Sequence, residues 1–99
     1  MAYSVHILSK ANAKFEGHIE FLAQVSESAA EKLYDAFYNS QRKLSENPYL
    51  YPKYENKAGF NLKYTIFSKR YRIVFEIIGN EVYIHDIQDC RQNTNQNLI

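Results

Sequence analysis

The sequence predicts an α+β fold in which one antiparallel sheet is covered on one face by a helical hairpin. A strand-like start is followed by two segments with helical spacing of apolar residues. The C-terminal half contains β-forming runs that flank a two-residue Gly79-Asn80 turn. A chain of 99 residues, 45% of them hydrophobic, suits a single core. We therefore predict one domain over residues 1–99, with 89–99 as a polar tail.

The N-terminal half is predicted to form a strand and two antiparallel helices. Residues 3–9 alternate as a strand does, and residues 10–25 carry an apolar stripe at helical spacing. The residues of that stripe are Phe15, Ile19, Leu22 and Val25. The second helix is expected to begin at Ser28, because Ser28-Ala-Ala-Glu31 fits a capping box. It is expected to end at Asn47-Pro48, since proline cannot continue a helix.

The C-terminal half is predicted to form three antiparallel strands at residues 62–67, 69–78 and 81–88, after an irregular segment at 48–54. The Gly79-Asn80 turn sets the register of the last two strands, so that Phe75 lies opposite Ile84 and Arg72 opposite Ile87. The core face then carries Ile73, Phe75, Ile77, Val82 and Ile84. The other face carries Arg72, Val74, Glu76, Tyr83 and His85.

This second face is where we look for chemistry. His85 is predicted to be a diagonal neighbour of both Arg72 and Glu76, at roughly 7–8 Å. Residues 53–72 hold six Lys or Arg against one Glu, a balance of +5, although the whole chain has a net charge of only +1. That concentration indicates either a binding surface or lysines that protect a sheet edge from aggregation.

The sequence predicts no membrane span, disulfide, metal or other cofactor. The first residues lack a charged region followed by a long apolar run, and no stretch approaches the ~20 apolar residues of a membrane helix. Cys90 is the single cysteine, and His6, His18 and His85 lack the spacing of metal ligands. We therefore expect a soluble cytoplasmic protein.

The order of these elements, together with four short motifs, resembles the RelE/ParE family of bacterial toxins from type II toxin–antitoxin systems. The motifs are Ser28-Ala-Ala, Leu44-Ser-Glu-Asn-Pro48, Tyr71-Arg-Ile-Val-Phe75 and Asp86-Ile-Gln-Asp-Cys-Arg91. The resemblance covers nearly the whole chain. It implies a growth-inhibiting toxin, of a kind associated with plasmid stabilisation, whose main partner is a cognate antitoxin.

Members of the family inhibit growth by one of two mechanisms, and the resemblance is compatible with both. RelE-like members cut messenger RNA on the ribosome, whereas ParE-like members poison DNA gyrase without a catalytic set. The RelE pattern implies functional roles for Lys63, Arg72 and Arg91. Thr65 and Asn97 stand where that pattern has a second lysine and a tyrosine.

RNA cleavage through the 2′-hydroxyl needs a base, cations for the phosphate and a group that assists the leaving oxygen. By resemblance, Arg72 and Arg91 would bind the phosphate and Lys63 would be the base, which makes the chain a candidate metal-independent mRNA endoribonuclease. His85 and Glu76 would supply the missing roles. The alternatives are a gyrase poison, favoured by the long second helix and a sequence pI near 7.8, and a toxin-like binding module without activity.

Overall fold

The structure is a computed structural model, and it describes residues 2–55 and 59–90. The elements, in chain order, are β1 (Ser4–Ile7), α1 (Ser9–Val25), α2 (Glu27–Glu46), a short 3-10 helix (Pro48–Leu50), β2 (Lys53–Tyr54), β3 (Leu62–Phe67), β4 (Tyr71–Ile78) and β5 (Glu81–Asp89). This arrangement confirms the predicted α+β fold. Neither α1 nor α2 is long and apolar enough to cross a membrane, and these are the two long helices of the described residues.

The strands form one open sheet in the order β1-β5-β4-β3-β2. The sheet is mixed, because β1 runs parallel to β5 while the other neighbours are antiparallel, so the prediction of a fully antiparallel sheet is wrong for β1. The long connection through α1 and α2 permits this parallel pairing. β2 lies in the segment that the sequence predicts to be irregular, and it pairs Tyr54 with Leu62 and Lys53 with Lys63. A strand of two residues that directly follows Pro52 has too little alternation to be predicted from sequence. β2 matters for the site because it brings Tyr54 beside β3.

The core lies between the two helices and one face of the sheet. Its fully buried side chains include Leu33, Leu44, Ile73, Phe75, Val82, Ile84 and Ile87. The rings of Phe15 and Phe37 lie 4.1 Å apart between the helices, and Phe37 lies 5.5 Å from Phe67 of β3. The predicted stripe of α1 is confirmed at Phe15, which is buried, and at Ile19 and Leu22, which pack against the core. Val25 at the end of the helix is 76% exposed, so the stripe ends at Leu22.

The joint between the helices is one residue, Ser26, and it corrects the predicted capping box at Ser28. Ser26 has extended backbone angles, its N–H donates to Leu22 of α1, and its Oγ accepts from the backbone N–H of Ala29 at 3.2 Å. α2 therefore begins at Glu27, and Ser28 lies inside the helix. The shared cap explains the correction, because the same residue ends one helix and begins the next.

Ser26→Ala is expected to lower the free energy of unfolding by about 1 kcal/mol, because it leaves an amide at the start of α2 without its acceptor. Ser28→Ala is the matched control, since Ser28 is exposed within the first turn and is expected to change stability by less than about 0.5 kcal/mol. Urea denaturation followed by circular dichroism measures both variants. A larger loss in Ser28→Ala would contradict the assignment of Ser26 as the cap.

A β-bulge changes the predicted register of the last hairpin. The register holds from Ile78 opposite Glu81 to Phe75 opposite Ile84, and then it shifts by one residue. Beyond the bulge, Ile73 lies opposite Ile87 and Arg72 opposite Gln88, so the predicted pairing of Arg72 with Ile87 is wrong. The extra residue returns Ile87 to the core, where it is fully buried. The strand also extends through Asp89, which was predicted to begin the polar tail.

Candidate functional site

Arg72 occupies the sheet face opposite the helices, because it alternates with the core residues Ile73 and Phe75 along β4. Its guanidinium carbon lies 5.4 Å from the ring centroid of Tyr54 and 5.7 Å from that of Tyr64. Contacts of this kind between a cation and an aromatic ring contribute about 0.5–2 kcal/mol. β2 and β3 thus supply an aromatic environment for the central arginine of β4.

Gln88 fixes the orientation of Arg72. The Nε of Arg72 donates to Gln88 Oε1 at 2.8 Å. The Nε2 of Gln88 donates to Tyr54 Oη at 3.2 Å and to Asp86 Oδ2 at 3.0 Å. Since both amide hydrogens have acceptors, the carbonyl oxygen of Gln88 is turned toward Arg72. The bulge makes this possible, because it places Gln88 directly opposite Arg72.

Asp86 connects this face to α1. Its Oδ1 accepts from Lys14 Nζ at 2.7 Å and from the backbone N–H of Ile87 at 2.9 Å. Burial raises the pKa of Asp86, but hydrogen bonds from Lys14 and Gln88, with the charge of Lys14, outweigh it and hold the pKa below its ordinary value of 3.8. Lys14, Asp86, Gln88 and Arg72 therefore form a continuous hydrogen-bonded chain, which we call the Arg72 network.

Asp86→Asn is expected to lower stability at pH 7 by about 1 kcal/mol, since Asp86 is partly exposed and its ion pair is screened by water. Because the pKa of Asp86 is lower in the folded chain, the ionised carboxylate stabilises the fold above about pH 4. That stability is lost as the pH falls through the folded pKa, so the difference in stability between the wild type and the variant should shrink as the pH falls below about 4. Urea denaturation at pH 7 and pH 3 measures this, with the exposed Asp35→Asn as control. A difference that is independent of pH would contradict the assigned ion pair.

His85 and Glu76 form a second polar pair on the same face. His85 Nε2 and Glu76 Oε1 are 2.9 Å apart, both side chains are mostly buried, and the ring of Phe60 lies 6.0 Å from that of His85. The structure thus brings these two residues together as the sequence predicted. Arg72 and Glu76 are separated by roughly 13 Å along β4, at about 3.3 Å per residue. Among the described residues, His85 is hydrogen-bonded to Glu76 and Arg72 to Gln88, so the predicted trio forms two hydrogen-bonded groups, the His85–Glu76 pair and the Arg72 network.

Lys63 does not lie on this face. It pairs directly with Phe75, and directly paired residues of antiparallel strands point to the same side of the sheet. Its Nζ donates to the carbonyl oxygen of Tyr51 at 2.9 Å, on the side of the sheet that the helices cover. Thr65 pairs with the core residue Ile73 and shares that side. The structure therefore separates Lys63 from Arg72 by the sheet itself.

Two residues that the resemblance singles out, Arg91 and Asn97, lie outside the described residues. Within residues 2–55 and 59–90, no group of three or more His, Cys, Asp or Glu side chains is arranged to hold a metal ion.

The residues that sequence reasoning missed are those that hold Arg72: Lys14, Tyr54, Tyr64, Asp86 and Gln88. The position of Gln88 could have been predicted from sequence. Ile87 is apolar and should face the core, which requires a β-bulge before Ile87 and places Gln88 on the opposite face. Lys14 and Asp86 are 72 positions apart in sequence, and only the tertiary fold makes them neighbours.

Comparison with known proteins identifies the family. The family model described as the ParE toxin of the type II toxin–antitoxin system parDE matches residues 5–94. The chain belongs to this toxin family. It is therefore the toxin of a type II system, and such a toxin has a cognate antitoxin. No curated protein matches the chain.

Solved structures share the fold of this ParE-family toxin. A chain of the chromosomal ParDE toxin–antitoxin system from P. aeruginosa superposes with a TM-score of 0.71 at 13% identity, covering 89% of this chain and 96% of that one. A mutant of the E. coli toxin RelE in the free state superposes with a TM-score of 0.55 at 14% identity, covering 98% of this chain and 93% of that one. At these identities the likeness is one of fold, and it agrees with the family assignment.

Proposed function

We propose that this toxin acts in the bacterial cytoplasm as a single domain that inhibits growth by binding DNA gyrase, without cleaving RNA. The observation that carries the proposal is the position of Lys63, the predicted base, on the opposite side of the sheet from Arg72. A base and a phosphate-binding cation must reach the same nucleotide to cleave it. A toxin that works by binding alone needs no such convergence.

Two further observations support binding rather than cleavage. Lys63 Nζ is engaged by the carbonyl of Tyr51, in a position that stabilises the chain segment leading to β2. Arg72 is held through Nε and by two tyrosine rings, which is an arrangement for presenting a fixed cation to a partner. Besides these two observations, the match to the family model described as the ParE toxin supports the proposal.

Messenger RNA cleavage is the second candidate, and the His85–Glu76 pair is the observation that favours it. A histidine hydrogen-bonded to a carboxylate can transfer protons as a general acid or base. Arg72 and Arg91 would then bind the phosphate. In this reading the toxin is an mRNA interferase that works with the ribosome, and Lys63 has no catalytic part.

The antitoxin needs a separate binding surface, and the helical hairpin offers one. A groove of about 460 Å³ lies between α1 and α2, with Phe15, Ile19 and Phe37 among its apolar residues and Glu16 and Glu20 at its side. We propose that a segment of the cognate antitoxin with apolar and basic residues binds there, in a helix-in-groove mode.

The test is expression of the chain without its antitoxin in E. coli, with separate pulse labels for protein and DNA synthesis. We expect filamentation, DNA breaks and SOS induction while translation continues during the first minutes. Purified toxin is expected to inhibit supercoiling by gyrase. Rapid arrest of translation with cut messages would instead support RNA cleavage, and unimpaired growth at verified expression would contradict both mechanisms.

A further inference from the structure

We infer that Arg72 is a preorganised fork for a carboxylate, and that it binds an acidic side chain of the toxin's target protein. The attribution to the target rests on the proposed function. The fork itself rests only on the contacts of Arg72.

One edge of the Arg72 guanidinium has no hydrogen bond to any residue that the structure describes. Of its five N–H groups, the one on Nε is taken by Gln88 at 2.8 Å. In the part of the chain that the structure describes, neither Nη group donates a hydrogen bond, although the side chain is only partly exposed. Two parallel N–H groups on one edge match the two oxygens of a carboxylate.

The fork is held in place before any ligand arrives. Gln88 is fixed by Tyr54 and Asp86, and Asp86 is fixed in turn by Lys14 and by the backbone of Ile87. The rings of Tyr54 and Tyr64 restrict the guanidinium further. A long arginine side chain normally loses rotamer freedom when it binds, and here the fold has already removed much of that freedom.

The surroundings favour a single carboxylate over a nucleic acid backbone. Binding to nucleic acid depends on many phosphate contacts, and Lys63, one of the six cations of residues 53–72, lies on the other side of the sheet from Arg72. The face that holds Arg72 also holds the carboxylates of Glu76 and Asp86, which repel a continuous row of phosphates. Ile66, directly opposite Arg72, and Phe60 are exposed and offer apolar contact to a folded protein. These features match the usual surroundings of an arginine at a protein interface.

The fork is tested by NMR on the full chain, with the Nε–Hε resonances of its arginines as probes. The ligands are N-acetyl-glutamate N-methylamide, its neutral glutamine analogue and dimethyl phosphate. We expect a saturable shift of the Arg72 resonance with the glutamate probe, no shift with the glutamine probe, and at least three-fold weaker binding of dimethyl phosphate. Arg72→Lys identifies the resonance by its loss.

The same spectra contain their own control. The side chain of Arg42 is exposed on α2, and its guanidinium pairs with Glu46 at 3.4 Å without a fixed second partner such as Gln88, so its resonance should not saturate. Gln88→Leu should weaken binding of the glutamate probe to Arg72 at least ten-fold, because the guanidinium then loses its fixed orientation. An equal response of Arg42 and Arg72, or tighter binding of dimethyl phosphate, would overturn the inference.

Capture of purified gyrase by immobilised toxin tests the attribution to the target. Arg72→Lys should reduce capture at least ten-fold, since a lysine cannot make the bidentate contact. Undiminished capture by that variant would overturn the attribution. If the wild type binds the glutamate probe but captures no gyrase, the proposed function and the attribution fail together, while the carboxylate fork is supported.

Discussion

Phe15→Ala is expected to lower the free energy of unfolding by about 3–5 kcal/mol. The side chain of Phe15 is 4% exposed, and its ring lies 4.1 Å from Phe37 and 6.5 Å from Phe67, so it joins both helices to the sheet. Removing the ring leaves a cavity that two helices and a strand must collapse together to fill. Single domains are stable by about 5–15 kcal/mol, so this variant loses a large share of its stability.

Phe21→Ala is the matched control, because Phe21 lies in the same helix and undergoes the same chemical change. Its side chain is 68% exposed, and we expect a change within about 0.5 kcal/mol. Equilibrium unfolding in urea, monitored by circular dichroism, measures both variants. Similar losses in the two variants would contradict the orientation of α1 on the sheet.

Periodicity made most of this fold predictable from sequence. β3 begins and ends where the sequence predicts, and the predicted inward residues of β4 and β5 lie in or against the core. The reason is physical: alternation along a strand and three-to-four spacing along a helix both report which side is removed from water. The Gly79-Asn80 turn then set the hairpin correctly up to the bulge.

The side of the sheet on which Lys63 lies could not be predicted in the same way. It depends on the turn between β3 and β4, where Ser68 and Lys69 adopt positive φ angles of 51° and 69°. Such angles are usual for glycine and uncommon for other residues, so Ser-Lys-Arg gives no turn signal. The turn pairs Phe67 with Tyr71, and that register places Lys63 on the helix-covered side.

The candidate site likewise has one part that the sequence could predict and one part that it could not. The His85–Glu76 pair follows from the register near a recognisable turn, and the sequence predicted it. The Arg72 network depends on a two-residue strand and on an ion pair from α1, neither of which has a local signature, and on a bulge whose one signal is the apolar character of Ile87. The sequence therefore singled out Arg72 but not most of the residues that hold it.

Arg72→Ala is expected to abolish growth inhibition, whereas Lys63→Ala is expected to preserve it. Truncating one partner of a hydrogen-bonded charge pair at an interface costs about 2–5 kcal/mol, so affinity for the target should fall at least about 30-fold in Arg72→Ala. Lys63 lies on the opposite side of the sheet, and its loss should change affinity by no more than about three-fold, which corresponds to about 0.6 kcal/mol. Titrated induction in growing cells, with gyrase binding by the purified variants, measures both effects.

The comparison is decisive only for folded proteins, so each variant is first checked by circular dichroism and urea denaturation. Lys63→Ala loses its hydrogen bond to the Tyr51 carbonyl, and Arg72→Ala loses its bond to Gln88, so modest destabilisation of both is expected. If Lys63 were the base of an RNA-cleaving site, both folded variants would lose toxicity together. If only Arg72→Ala loses toxicity, the result supports a toxin that acts through the face of the sheet opposite the helices.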